Sequence, residues 1–289
     1  MTILEARIGG VAFGGQTGDL IITDFDPGDT ELVTVDTQNP LNDGVMVGRD
    51  FLGARTWAFT VTSNVDDVNL ARAVLAPLGA VWRDKRVRLT PGAVVPLSYR
   101  LGDVWRRVYG RPGRWADMKA DLRTMQGAGA VACDFRVTDP RHYAEDESSV
   151  ELTIIPKSVG GLIAPLVAPL RTRAQGGQRA GLVDNRGDAD TPLKVTFYGP
   201  CRDPKVVAAA GWEVGLVGSL AYDEQVTVDA LEKTVTRQDG APVPGMLTRA
   251  TQLTKAVLPV GQSDLTFTCI DDTGTAKAVL SWRDAYETF

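Results

Sequence analysis

Short runs of alternating or β-branched residues, cut by Gly, Pro, Asp and Asn, recur along most of the chain and predict a mainly β fold. In the first half the pattern marks strands at Leu20–Phe25, Leu32–Val35, Thr56–Thr62, Arg86–Thr90, Val95–Arg100, Trp105–Tyr109 and Ala130–Val137. Trp57, Phe59 and Val61 alternate with Ala58, Thr60 and Thr62, so one face of that strand should be buried and the other wet. In the second half strands are predicted within Asp190–Tyr198, Pro204–Val207, Trp212–Leu216, Gln225–Asp229, Lys233–Arg237, Asp264–Ile270 and Lys277–Arg283. Asp239-Gly240 is a hairpin signal after Arg237. So many short strands in so few residues imply a compact antiparallel sandwich.

One stretch departs from this rhythm. Val65, Val68, Leu70, Ala71, Val74 and Leu75 fall on a helical stripe, which predicts a helix over Asn64–Ala76 with Asn64 as its cap and Pro77 with Gly79 at its end. Gly9-Gly10 and Gly14-Gly15 lack the helix that must follow a dinucleotide fingerprint, and both pairs read as the hairpin turn between an opening strand from Thr2 to Ile8 and the next.

The pattern divides the chain into a β domain over 1–150, a connector over 151–180 rich in Gly, Pro and small apolar residues, and a β-sandwich domain over 181–289. With 289 residues, 44% hydrophobic and 23% charged, each part can bury its own core. The longest apolar stretch is broken by Pro165 and Pro169, so no membrane partner is predicted. The opening residues do not read as a secretory signal. Cys133, Cys201 and Cys269 lie far apart in sequence and read as reduced, packed thiols.

Charge is unevenly spread. The net charge of −5 offers no global field for nucleic acid. Residues 81–115, however, carry nine basic side chains against two acidic ones, with Trp82, Tyr99, Trp105, Tyr109 and Trp115 interleaved. The first fifty residues carry the reverse, nine acidic against two basic. Three explanations stay open: pairing inside the fold, complementary faces on neighbouring copies, and a groove for single-stranded nucleic acid. On the second, Arg106, Arg107, Arg111 and Arg114 are candidate self-association residues.

Catalytic chemistry finds little to work with. His142 is the one histidine, and no Gly-x-Ser-x-Gly elbow accompanies it, so it reads as a loop residue capping a strand end and not as a general base. The acidic loops Asp24–Asp29 and Asp184–Asp190 match no complete calcium motif and read as turns, as does the Arg186-Gly187-Asp188 tripeptide. No catalytic residue, metal ligand or cofactor is predicted, and the chain is not expected to be an enzyme.

The order of several pieces carries a resemblance. These are Gly48-Arg-Asp-Phe-Leu-Gly53 before Thr56–Thr62, the single helix, Val104-Trp-Arg-Arg-Val-Tyr-Gly-Arg-Pro112, and Phe135-Arg-Val-Thr-Asp-Pro-Arg-His-Tyr143. Asp184–Pro192, Leu258-Pro-Val-Gly261 and Ser281-Trp-Arg-Asp-Ala-Tyr286 follow in the second half. Over nearly its whole length the chain resembles the distal tail proteins, also called minor tail proteins, of long-tailed siphovirus-type phages of actinobacteria. The resemblance implies a virion protein of the tail tip, assembled in the bacterial cytoplasm. Its first domain would form a hexameric ring, sandwich-like in fold, between the tail tube protein above and a tail-tip hub or tail-associated protein below. Its second domain would be a galectin-like sandwich projecting outward. Such a sandwich leaves an alternative function, carbohydrate binding at the host surface, for which Trp212 is the candidate glycan contact among Tyr198, Trp212, Tyr222, Trp282 and Tyr286.

Overall fold

The computed structural model describes residues 4–15, 18–154, 180–271 and 273–288, and the predicted connector lies almost entirely outside them. The chain is mainly β, with antiparallel sheets and one long helix. It divides into two compact units, one within Met1–Glu145 completed by Glu287–Phe289, the other within Asp146–Tyr286.

The first unit contains β1 (Leu4–Ile8), β2 (Val11–Gly14), β3 (Leu20–Asp26), four two-residue strands β4 (Leu32–Val33), β5 (Thr37–Gln38), β6 (Val45–Met46) and β7 (Phe51–Leu52), and β8 (Arg55–Ser63). Helices α1 (Val68–Trp82) and α2 (Lys85–Leu89) follow, then β9 (Val95–Leu101), β10 (Val104–Ala116), α3 (Leu122–Met125), β11 (Ala130–Val137) and β12 (His142–Ala144). Its sheet runs β2-β1-β9-β10-β11-β8-β3, with β12 added on β10. The edge strands β2 and β3 come back into contact, so the sheet curls around its own core. Trp57, Phe59 and Val61 of β8 enter that core as their alternation predicts, beside Leu97, Val108 and Phe135.

Gly14, with φ 93°, lets β2 lie close on β1: a Cβ there would stand 2.3 Å from the Leu4 carbonyl oxygen.

Two local readings need correction. The helix starts later and ends later than its stripe suggests. Asp67, not Asn64, caps α1 by accepting the Asn69 and Leu70 amides at 2.6 and 3.1 Å, and Pro77 lies inside the helix. Burial of Leu78 and Trp82 against the sheet carries the helix past the proline. The predicted strand Arg86–Thr90 is α2, which Asp84 starts by accepting the Arg86 amide at 2.9 Å.

The second unit contains β13 (Ser148–Thr153), β14 (Ala180–Asn185), β15 (Thr191–Pro192), β16 (Lys194–Tyr198), β17 (Cys201–Ala208), β18 (Glu213–Gly215), β19 (Ser219–Leu220) and β20 (Gln225–Asp229). It ends with β21 (Thr234–Arg237), β22 (Val257–Leu258), β23 (Gly261–Ile270), β24 (Lys277–Trp282) and β25 (Ala285–Tyr286). One five-stranded sheet runs β13-β24-β16-β20-β21; the other runs β14-β23-β17-β18 with β19 on β17. Inward residues of both, among them Phe197, Val226 and Leu280 from the first and Val206 and Phe267 from the second, share a single core. The arrangement is an antiparallel β-sandwich.

Candidate assembly surfaces

Most of the arginines singled out from the sequence are held within the first unit. Arg107 grips Glu145 with two bonds, Nη2 to Oε1 at 2.6 Å and Nε to Oε2 at 3.1 Å. Burial works against its charge, but the Glu145 hydrogen bonds and charge prevail and raise its pKa above the ordinary value. Arg106 donates from Nη1 to the Thr288 carbonyl at 2.5 Å. Arg111 donates to the carbonyls of Val87 and Arg88 and so ties β10 to α2. Arg114 is the most exposed of the four. Its backbone amide binds Asp134, while its guanidinium stays 3.9 Å from that carboxylate.

The interleaved aromatics turn inward or against neighbouring side chains. Trp82 and Tyr99 are buried, Tyr109 meets Tyr143 edge-on at 5.3 Å, and the guanidinium of Arg7 lies 4.0 Å over Trp105. Trp115 donates its Nε1 proton to Asp117 at 3.0 Å. They form no continuous exposed row on which successive bases could stack.

His142 is not the loop residue its sequence neighbours suggest. It is fully buried in β12, between the Arg55 guanidinium at Nε2 and the Tyr99 hydroxyl at Nδ1, 2.5 Å away. Arginine can only donate, so Nε2 accepts and the imidazole proton sits on Nδ1, directed at Tyr99 Oη. Burial raises the Tyr99 pKa well beyond the ordinary phenolic value, so the hydroxyl remains neutral. The arrangement binds three strands together.

The acidic segment behaves differently. Among the described residues, Arg100 Nη2 with Glu5 Oε1 at 2.6 Å is the one ion pair joining the first fifty residues to the arginine-rich stretch. Between β3 and β8 the chain runs out as a two-stranded arm, with β4 paired to β7, β5 paired to β6, and the tip closed by the Asn39 amide on the Gly44 carbonyl at 3.1 Å. Gly48 permits the strands' close approach, since a Cβ there would meet the Val35 carbonyl oxygen at 2.0 Å. Leu32, Val33, Val45, Met46, Phe51 and Leu52 are all exposed along the arm, and Leu41 and Val47 reach 86% and 82%. Acidic Glu31, Asp36, Asp43 and Asp50 lie among them, also exposed. A two-stranded ribbon with apolar side chains and no core is marginal in water by itself. The pattern that predicted Leu32–Val35 as a strand could not show that none of the described residues covers it.

In the second unit, Trp212 is half-buried against the core and donates its Nε1 proton to the Val257 carbonyl at 3.0 Å. Trp282 is buried, while Tyr222 is 80% exposed. In the acidic turn, Asn185 donates to the Ala189 carbonyl at 2.8 Å and accepts the Gly187 amide at 3.1 Å. Gly187 lies so close under Ala285 that a Cβ would stand 1.8 Å from its carbonyl oxygen. Among the described residues no three acidic, cysteine or histidine side chains gather as a metal ion would need, and no helix is long and apolar enough to cross a membrane.

No family model and no curated protein matches the chain. Solved structures do. The SPP1 Dit protein, described as a paradigm of the hub adsorption apparatus in phages that infect Gram-positive bacteria, aligns over 98% of both chains with a TM-score of 0.60 at 13% identity. The two share one fold. A chain of the phage P2 baseplate in its activated conformation with calcium aligns over 97% of this chain and 98% of its own, with a TM-score of 0.57 at 9% identity. The same baseplate with strontium gives a TM-score of 0.56 at 10% identity, over 96% and 97% of the two chains. The likeness spans both units, so it concerns their succession along the chain and not a single common sandwich.

Proposed function

We propose that this chain is a structural, non-catalytic virion protein of a phage tail tip, assembling with copies of itself as a ring, six to the ring, that joins the tail tube to the host-attachment apparatus. The full-length likeness to a phage hub protein supports the setting. The observation that carries self-assembly is the arm between β3 and β8, whose exposed leucines, valines, methionine and phenylalanine are left uncovered by the described residues. The second unit, a two-sheet sandwich, is on this reading the galectin-like domain at the ring's periphery. A long-tailed phage and an actinobacterial host rest on the sequence resemblance alone.

Electron microscopy of the purified protein, with native mass spectrometry alongside, tests this. The expected result is a ring with a central opening and a mass that is a whole multiple of 31.0 kDa. A persistent monomer at high concentration would overturn the proposal.

A further inference from the structure

Two of the three cysteines meet in the second unit. β17 and β23 are antiparallel neighbours with Arg202 opposite Ile270, which sets Cys201 and Cys269 diagonally across the ladder on one face. That face is the inner one. Cys201 is 6% exposed within the core and Cys269 packs against it. The two thiols are near enough to shift each other's ionisation in opposite senses, Cys201 down and Cys269 up. Cys201 Sγ also lies 3.8 Å from the Tyr198 carbonyl oxygen. Between Arg202 and Lys205 the register slips, and Asp203 takes φ 50°, so β17 bends right beside the pair.

We infer that Cys201 and Cys269 are an oxidisable dithiol site that closes to a disulfide stapling β17 to β23. Neighbouring strands set the two cysteines diagonally on one buried face, and closing the bridge takes a local backbone adjustment that brings their Cα atoms within disulfide reach. The neighbouring Cys269 eases ionisation of Cys201, lowering it below the ordinary thiol value against the opposing effect of burial. Cys269 is raised. With hydrogen peroxide as oxidant, the Cys201 thiolate attacks one peroxide oxygen and becomes a sulfenic acid, while hydroxide leaves and takes up a proton as water. Cys269 then attacks the Cys201 sulfur, gives up its proton and expels a second water. Two thiols and one peroxide become one disulfide and two waters. Cys269 is half-buried, which leaves the pair open to so small an oxidant. Cys133 is the internal contrast. It is buried in the first unit's core, and burial pushes its thiol up to about 12, so it stays inert.

The site stands apart from the tail-tip reading. On that reading the chain passes from a reducing cell interior to oxidising surroundings, and the staple would close on release.

The test treats the reduced, full-length protein with stoichiometric hydrogen peroxide, then applies thiol titration, intact mass and peptide mapping. The expected result is loss of two of three thiols, loss of the mass of two hydrogens, one linked peptide joining Cys201 to Cys269, and a higher melting temperature reversed by dithiothreitol. Cys133→Ser should still close the bridge, whereas Cys201→Ser should keep two thiols and Cys269→Ser should stop at a Cys201 sulfenic acid, neither yielding a linked peptide. Three thiols persisting in the wild type would overturn the inference. So would a bridge involving Cys133, or oxidation beyond the sulfenic acid without a link. None of these outcomes depends on whether the protein forms rings.

Discussion

At the residue scale, the single histidine was legible as a count and illegible as a place. Its presence alone in the sequence argues against histidine-based catalysis. Its burial depends on Tyr99 and Arg55, 43 and 87 residues away, which no local pattern brings together. Removing the imidazole leaves a buried guanidinium group and a buried hydroxyl each short of a partner. His142→Ala should therefore destabilise the first unit by about 3 kcal/mol, read as a lower urea midpoint with an unchanged slope. Trp212 makes the parallel case in the second unit. Sequence marked it as a candidate glycan contact; its partly buried indole packs on the core and its N–H is bonded to Val257. Trp212→Ala should lower the stability of the folded chain by about 3 kcal/mol, and thermal unfolding would show it.

At the element scale, strands with one buried face were easiest to foresee, because period-two alternation is the physical record of that burial. β8 follows its prediction residue by residue. The failure at α2 has the same origin. Arg-Val-Arg-Leu alternates too, yet no side chain of α2 is buried, so the alternation recorded no buried face. The Asp84 cap and the grip of Arg111 on the carbonyls of Val87 and Arg88 hold the helix instead. Pro77 misled in the opposite direction, since tertiary packing carried α1 past it. The Asp67 cap was open to sequence reasoning, but Asn64 competed for the role. Asp67→Ala should cost about 1 kcal/mol, measurable by urea unfolding.

On the proposed function, the arm is the element on which assembly turns. Leu32 and Phe51 are exposed, so Leu32→Asp with Phe51→Asp should change the chain's own stability by roughly 1 kcal/mol or less. If the arm's cover is a neighbouring copy, the same pair of changes places two charges in an apolar interface and should weaken self-association by about a hundredfold or more. Analytical ultracentrifugation over a concentration series separates the two effects. A double variant that assembles as well as the wild type would free the arm of this role, while leaving open rings built through other surfaces.

At the scale of the whole molecule, the chain is organised around two cores that share no member, one inside a curled sheet and one between two sheets. The sequence suggested two bodies parted by a connector over 151–180, whereas the two compact units divide at Glu145 and Asp146, with β13 in the second and Glu287–Phe289 returning to the first. Strand order did not follow from the sequence, because β1 pairs with β9 across more than eighty residues of intervening chain. Separate cores have a thermodynamic consequence, since cooperativity extends as far as a continuous packed interior and two interiors need not melt together. Calorimetry should therefore resolve two transitions. Phe59→Ala, which empties part of the first core, should lower one of them by roughly 10 °C or more and leave the other in place. Phe267→Ala should do the converse. A single transition that either substitution moves as a whole would mean that the two units unfold as one cooperative body. In that case stability lost in one would be felt in the other, and an assembly contact formed by the first unit would also stabilise the second.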